Sequence, residues 1–137
     1  MTKQEYLSQV ATLQRVIDKK TERVEAYRSL AESPASPKYE NVGGSGQRST
    51  EAPFVKWVYK IIELENDIKE LRTRLDEIRE SIIVAIEALE NEDYKNLLVF
   101  RYLDSQPWEK VCEKMFISRW TAMRWHREAL ELLRLPI

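Results

Sequence analysis

A chain of 137 residues suits one domain or two small ones, and 43% hydrophobic with 33% charged residues and only 3 Gly reads as ordered, soluble and helix-rich. No window approaches the roughly 18 apolar residues of a membrane span, Met1-Thr2-Lys3-Gln4-Glu5 lacks the apolar stretch of a secretory signal, and the single Cys112 excludes an internal disulfide framework. A reducing cytoplasm is the expected compartment, with no membrane partner. The net charge of −1 hides a gradient: residues 51–91 carry 6 basic and 10 acidic side chains, residues 92–137 carry 8 and 7, and from Phe116 onward the count is 4 to 2. The basic end permits a nucleic-acid partner without demanding one.

In chain order, the first predicted element is a helix from about residue 3 to 32. Thr2 and Glu5 form a T-x-x-E capping box, each side chain satisfying an orphan amide at the helix start. Tyr6, Val10, Leu13, Ile17, Lys20, Val24, Tyr27 and Ala31 repeat at steps of four and three, a heptad seam with one polar interruption at Lys20. From about residue 33 to 53, Pro34, Pro37, Gly43-Gly44-Ser45-Gly46 and Pro53 fall among small polar residues with no apolar period, the composition of a flexible linker. These glycines do not make a nucleotide loop, because no Lys-Ser or Lys-Thr follows them and no strand precedes them.

A second helix is predicted from Pro53, well placed at the first helical position, to about Glu90. Trp57, Ile61, Leu64, Ile68, Leu71, Leu75, Ile78, Ile82, Ala85 and Leu89 keep the four-three rhythm throughout. At about 1.5 Å per residue the two helices are near 45 and 57 Å long, so the first can cover most of the second's seam. An antiparallel coiled-coil hairpin is the simplest arrangement. A linker of about 20 residues can stretch roughly 66 Å, however, which leaves pairing between chains open. Ile83 and Ile86 widen the apolar face near the helix end, as expected where a further domain docks. Glu63, Asp67, Glu70, Glu77 and Glu80 read as the solvated face.

Residues 91–137 read as a second domain. Asn91-Glu92-Asp93 is an N-cap followed by acidic first-turn residues, and Tyr94, Leu97, Leu98, Arg101 and Tyr102 mark a short helix ending near Leu103-Asp104-Ser105. Gln106-Pro107 opens another, with Trp108, Val111, Cys112 and Met115 on its inner side. Phe116-Ile117-Ser118 is the turn, and Ser118 caps a longer helix whose inward residues are Ala122, Trp125, Ala129 and Leu132 or Leu133. Two short helices, a tight turn and a longer basic helix make the helix-turn-helix layout, in which the longer helix enters the major groove N-terminus first. Arg119, Trp120, Thr121, Met123, Arg124 and Arg127 then face outward, Ser118 lies at the cap, and Lys110 and Lys114 are placed to meet phosphates. An arginine fork matches guanine O6 and N7, each good pair contributing about 1–3 kcal/mol of discrimination. The bland alternative is a three-helix cap with a solvated basic face. Trp120 and Met123 among the arginines argue for a partner surface instead.

Leu97-Leu98-Val99-Phe100-Arg101-Tyr102-Leu103-Asp104, Trp108-Glu109-Lys110-Val111-Cys112 and Ile117-Ser118-Arg119 together resemble region four of bacterial sigma factors, which reads a promoter element. The wider pattern is similar to the phage late-transcription regulators of Gram-positive bacteria, the ArpU and RinA-like group. That likeness rests on Glu5-Tyr6-Leu7, Gly43-Gly44-Ser45-Gly46 with Arg48, Ile62-Glu63-Leu64-Glu65, Arg101-Tyr102-Leu103, Trp108-Glu109, Ser118-Arg119, His126 and Ala129-Leu130. It spans nearly the whole chain, and only its C-terminal block is specific. The resemblance implies an activator of phage packaging and morphogenesis genes, associated with the nucleoid of the bacterial host. Double-stranded DNA and RNA polymerase are its expected partners, and a homo-oligomer its expected form. Two departures stand out: Phe116 occupies the turn position where such proteins have glycine, and Ala122 replaces a valine, with Trp125 expected to fill the space.

No metal or cofactor is expected, since one His and one Cys cannot supply a usual ligand set. Cys112 reads as a buried inert thiol, and His126 as a packing or phosphate-contacting residue with no carboxylate spaced to orient it. No enzyme is read from these residues. Two other functions compete with transcription regulation. One is a small terminase-like packaging protein, although such proteins place their reading domain first. The other is a protein-interaction module that bridges or inhibits a sigma factor without touching DNA.

Overall fold

The computed structural model describes residues 1–32 and 53–137, and among them the chain is all-helical. Helix α1 spans Lys3–Glu32 and α2 spans Pro53–Glu87; α3 is Glu92–Leu98, followed directly by a π-helical segment, Val99–Leu103; α4 is Trp108–Met115 and α5 is Arg119–Leu132. The segment read as a linker, with its glycines, lies outside the described residues. The described chain divides into two compact units, one gathering Met1–Arg15 with Thr73–Ile137 and the other lying within Val16–Arg72.

In the second unit the seam residues of α1 and α2 meet. Ile17, Val24, Ile61, Leu64 and Ile68 are buried, and Tyr27 packs on Trp57 with ring centroids 5.4 Å apart. Lys20, the polar interruption of the seam, places its ammonium 3.5 Å from Asp67, so the interruption on one helix is answered by a carboxylate on the other. Asp67 is thus drawn into the contact rather than left on the solvated face. Arg28 reaches Glu65 and Glu25. These ion pairs are largely exposed, and pairs of that kind contribute at most about 1 kcal/mol each. The apolar seam carries the packing.

The first unit is built on a continuous core. Leu7, Ile82, Leu97, Leu98, Val111, Ala122, Ala129 and Leu133 are fully buried, with Val10, Leu75, Ile86 and Leu89 nearly so. Each fully buried Leu or Ile contributes about 1.5–3 kcal/mol relative to an exposed one. The capping box at the start of α1 forms as the sequence dictates: the Thr2 amide donates to Glu5 Oε1 at 2.7 Å and the Glu5 amide to Thr2 Oγ1 at 3.1 Å. The Thr2 amide first, and the Thr2 hydroxyl second, hold the Glu5 carboxyl below its ordinary pKa. The Lys3 ammonium donates to the Leu130 carbonyl at 2.7 Å, satisfying an orphan acceptor in the last turn of α5.

Three expectations are corrected here. Helix α2 stops at Glu87, three residues early, and Asn91 then opens α3. Of the two residues expected to widen the docking face, Ile86 is buried but Ile83 is 46% exposed. The single short helix expected up to Leu103 changes register after Leu98, where the Asp104 amide reaches back to the Val99 carbonyl at 2.9 Å. That extra residue per turn brings Tyr102 into the core.

Candidate nucleic-acid interface

Helix α4 is opened by Pro107 and closed by Phe116 in the left-handed conformation, φ 56° and ψ 45°. Its closure is a Schellman arrangement: the Ile117 amide donates to the Cys112 carbonyl at 3.1 Å and the Phe116 amide to Glu113 at 3.3 Å. Three residues suffice to reverse the chain because Ser118 then caps α5 at once, its Oγ accepting from the Thr121 amide at 3.1 Å. The turn therefore does require positive φ at Phe116. The ring itself projects into solvent, 94% exposed.

Helix α5 is held on three sides. The Tyr94 hydroxyl of α3 donates to Glu128 Oε1 at 2.7 Å, and that bond pushes the Tyr94 phenol above its ordinary pKa. The Tyr102 hydroxyl lies 2.6 Å from His126 Nε2, while Trp108 of α4 meets the same imidazole edge-on, centroids 4.9 Å apart. Burial first, and the nearby Arg101 second, push His126 below its ordinary pKa. The neutral ring is the form that can accept from the phenol. Arg101 completes the cluster, its guanidinium 5.1 Å from the Trp108 ring and its Nη1 donating to the Gln106 carbonyl at 3.0 Å. His126 is thus a packing residue of this cluster. Cys112 is half-buried, less enclosed than expected.

The residues expected to face outward divide into two groups. Arg119, Trp120 and Arg127 are exposed, as are Lys110 and Lys114 on α4. Lys110 lies 4.0 Å from Glu113, and the Lys114 ammonium rests 5.0 Å from the Phe100 ring. Thr121, Met123 and Arg124 are only half-exposed. Thr121 and Met123 flank buried Ala122 at about 100° to either side, so they lie on the shoulders of α5 and not on its crest. Thr121 is also engaged by the cap, its hydroxyl accepting from Ser118 at 3.0 Å. Arg124 does point away from the core, but its guanidinium folds back to 5.0 Å from the Trp120 ring and its Nε is buried without a hydrogen-bond partner. Of the inward residues, Leu133 is buried and Leu132 is exposed, and Trp125 is half-buried near Tyr94.

Sequence reasoning missed Arg101 as a structural cation and the Tyr102–His126 bond. Adjacent Arg101-Tyr102 with an aromatic Trp108 was the available signal, but the π register that brings the phenol to His126 has no mark in the sequence. Among the described residues no three His, Cys, Asp or Glu side chains converge as a metal site. No helix described is long and apolar enough to cross a membrane.

A family model described as "Protein of unknown function (DUF1492)" matches residues 30–134, which run from the end of α1 through α5. The chain belongs to the DUF1492 family. No curated protein matches this DUF1492 chain, and no solved structure does. The matched span includes both cation-bearing helices, α4 and α5, and leaves the capping box of α1 outside it.

Proposed function

We propose that this protein is a sequence-specific DNA-binding transcription regulator whose α4 and α5 form a helix-turn-helix. The observation that supports this most is the abrupt three-residue turn between an 8-residue and a 14-residue helix, with Arg119, Trp120 and Arg127 exposed on the second. In such a unit the second helix enters the major groove and the first crosses the phosphates. Arg119 and Arg127 are then the base-reading candidates, and Lys110 and Lys114 the phosphate contacts. Arg124, stacked on Trp120, joins the reading face with its orientation already restricted.

The rest of the reading follows the sequence resemblance. The protein activates phage late genes for packaging and morphogenesis in the bacterial host cytoplasm, at the nucleoid, in contact with RNA polymerase and as a homo-oligomer. Helices α1 and α2 form an antiparallel coiled-coil hairpin. The Arg28–Glu65 and Lys20–Asp67 pairs support this, since the later residue on one helix meets the earlier on the other.

Binding to labelled fragments of the neighbouring genomic DNA, measured across salt concentrations, tests the proposal. A preferred promoter-proximal fragment is expected. With Lys110 and Lys114 on phosphates, log K should fall with log salt at a slope of about −1.8. Arg124→Ala should weaken the preferred fragment by about tenfold or more and nonspecific DNA less. Equal affinity for every fragment would overturn sequence-specific regulation, and no binding at low salt would favour a sigma-directed interaction module.

A further inference from the structure

Near the end of α2, in the first unit, lies a groove of about 630 Å³. It is lined by Val84 and Ala85 of α2 with Ala88 just beyond the helix end, and walled by the non-helical segment carrying Leu135 and Pro136. The volume is in the range that takes several apolar side chains. Charge is distributed unequally around it: Glu77 and Glu80 stand on the helix side, whereas Arg134 stands on the wall. Among the described residues no ion pair joins these three charges to one another. Val84 is 64% exposed and Ile137, just beyond the wall, is 58% exposed.

We propose that this groove is the self-association surface of the protein, occupied by the wall segment of a second copy. It rests only on the homo-oligomer part of the function proposed above. A twofold interface places the same patch on both partners, so the patch must complement itself in shape and charge. This one does. A groove bordered by a ridge becomes, after a twofold rotation, a ridge facing a groove, and Leu135, Pro136 and Ile137 of each copy seat over Val84, Ala85 and Ala88 of the other. The same rotation brings Arg134 of each copy against the acidic side of its partner. An uncharged or all-acidic rim would not have had this property. The exposed apolar side chains supply the attraction, and the unpaired charges fix the register.

Sedimentation equilibrium of the full chain without DNA tests the surface, with circular dichroism as a check on folding. The wild-type protein is expected to be dimeric, and Val84→Asp to weaken dimerisation by tenfold or more. Glu80→Arg and Arg134→Glu, both exposed, should each weaken it, because each sets like charges against each other at both contacts. Mixing those two single variants should restore the dimer, since the heterodimer re-pairs Arg with Glu at both places. Only contacts between chains allow such rescue in trans. A monomeric wild type would overturn the surface and the oligomer reading together, while leaving DNA binding to its own test. A wild-type dimer indifferent to Val84→Asp, or single variants that fail to rescue each other, would overturn the surface alone.

Discussion

Phe116 is a residue in a conformation its side chain disfavours. A β-carbon in the left-handed region costs about 1–2 kcal/mol, and the exposed ring returns no burial to offset it. Phe116→Gly should therefore raise stability by up to about 1 kcal/mol, since part of the gain is lost to glycine's greater freedom when unfolded. Denaturant midpoints of the two proteins would measure it. Should the variant also bind DNA less well, the ring has a use that accounts for its retention. His126 gives a prediction of opposite kind. Its folded pKa lies below the unfolded value of about 6.5, so above that pH both states are neutral and stability is complete. As pH falls through 6.5 toward the lower folded value, the unfolded chain takes up the proton first and stability declines. Urea unfolding of the wild type at about pH 7.5 and pH 5.5 should show that decline, and His126→Gln should reduce it.

At the scale of elements, most helix starts were legible because their caps are local chemistry. Thr2-x-x-Glu5, Asn91 and Ser118 each satisfy amides within three residues, and such bonds need nothing from the rest of the molecule. Asn91→Ala should cost about 1 kcal/mol, read as a lower melting temperature, for it leaves the Asp93 and Tyr94 amides without the 2.8 and 3.1 Å bonds they make now. The seams of α1 and α2 were legible too, since Ile17, Val24, Ile61, Leu64, Ile68, Leu75 and Ile82 repeat and are buried. Leu7 was not. It stands one place after Tyr6, outside the heptad rhythm, yet it is fully buried. Nothing in a periodic pattern announces a contact made by distant chain. The π segment was hidden for a related reason, as its register depends on where Tyr102 finds a partner. For the candidate interface, Arg119, Trp120 and Arg127 were correctly read as outward. Arg124 was half-right, because a long side chain can fold onto a neighbouring ring in a way that spacing alone does not reveal.

Across the molecule, the compact unit that holds α3, α4 and α5 also includes Met1–Arg15. The family match begins only at residue 30, so that N-terminal contribution is not part of what the family model describes. Removing residues 1–10 takes away Leu7 and Val10, and their burial contributes about 3–6 kcal/mol together. Hydrogen exchange of the truncated protein should show faster opening in α3 through α5 than in the intact chain. Unchanged protection would mean that the C-terminal helices stand without the N-terminal turn.

The bond from Lys3 to Leu130 spans 127 positions of sequence. During translation at about 5–20 residues per second, roughly 6 to 25 seconds separate the appearance of its two ends. Until then the Lys3 ammonium lacks its Leu130 acceptor, and the start of α1 is not yet tied to α5. The compact unit that joins Met1–Arg15 to α3, α4 and α5 is therefore completed only after most of the chain has been made.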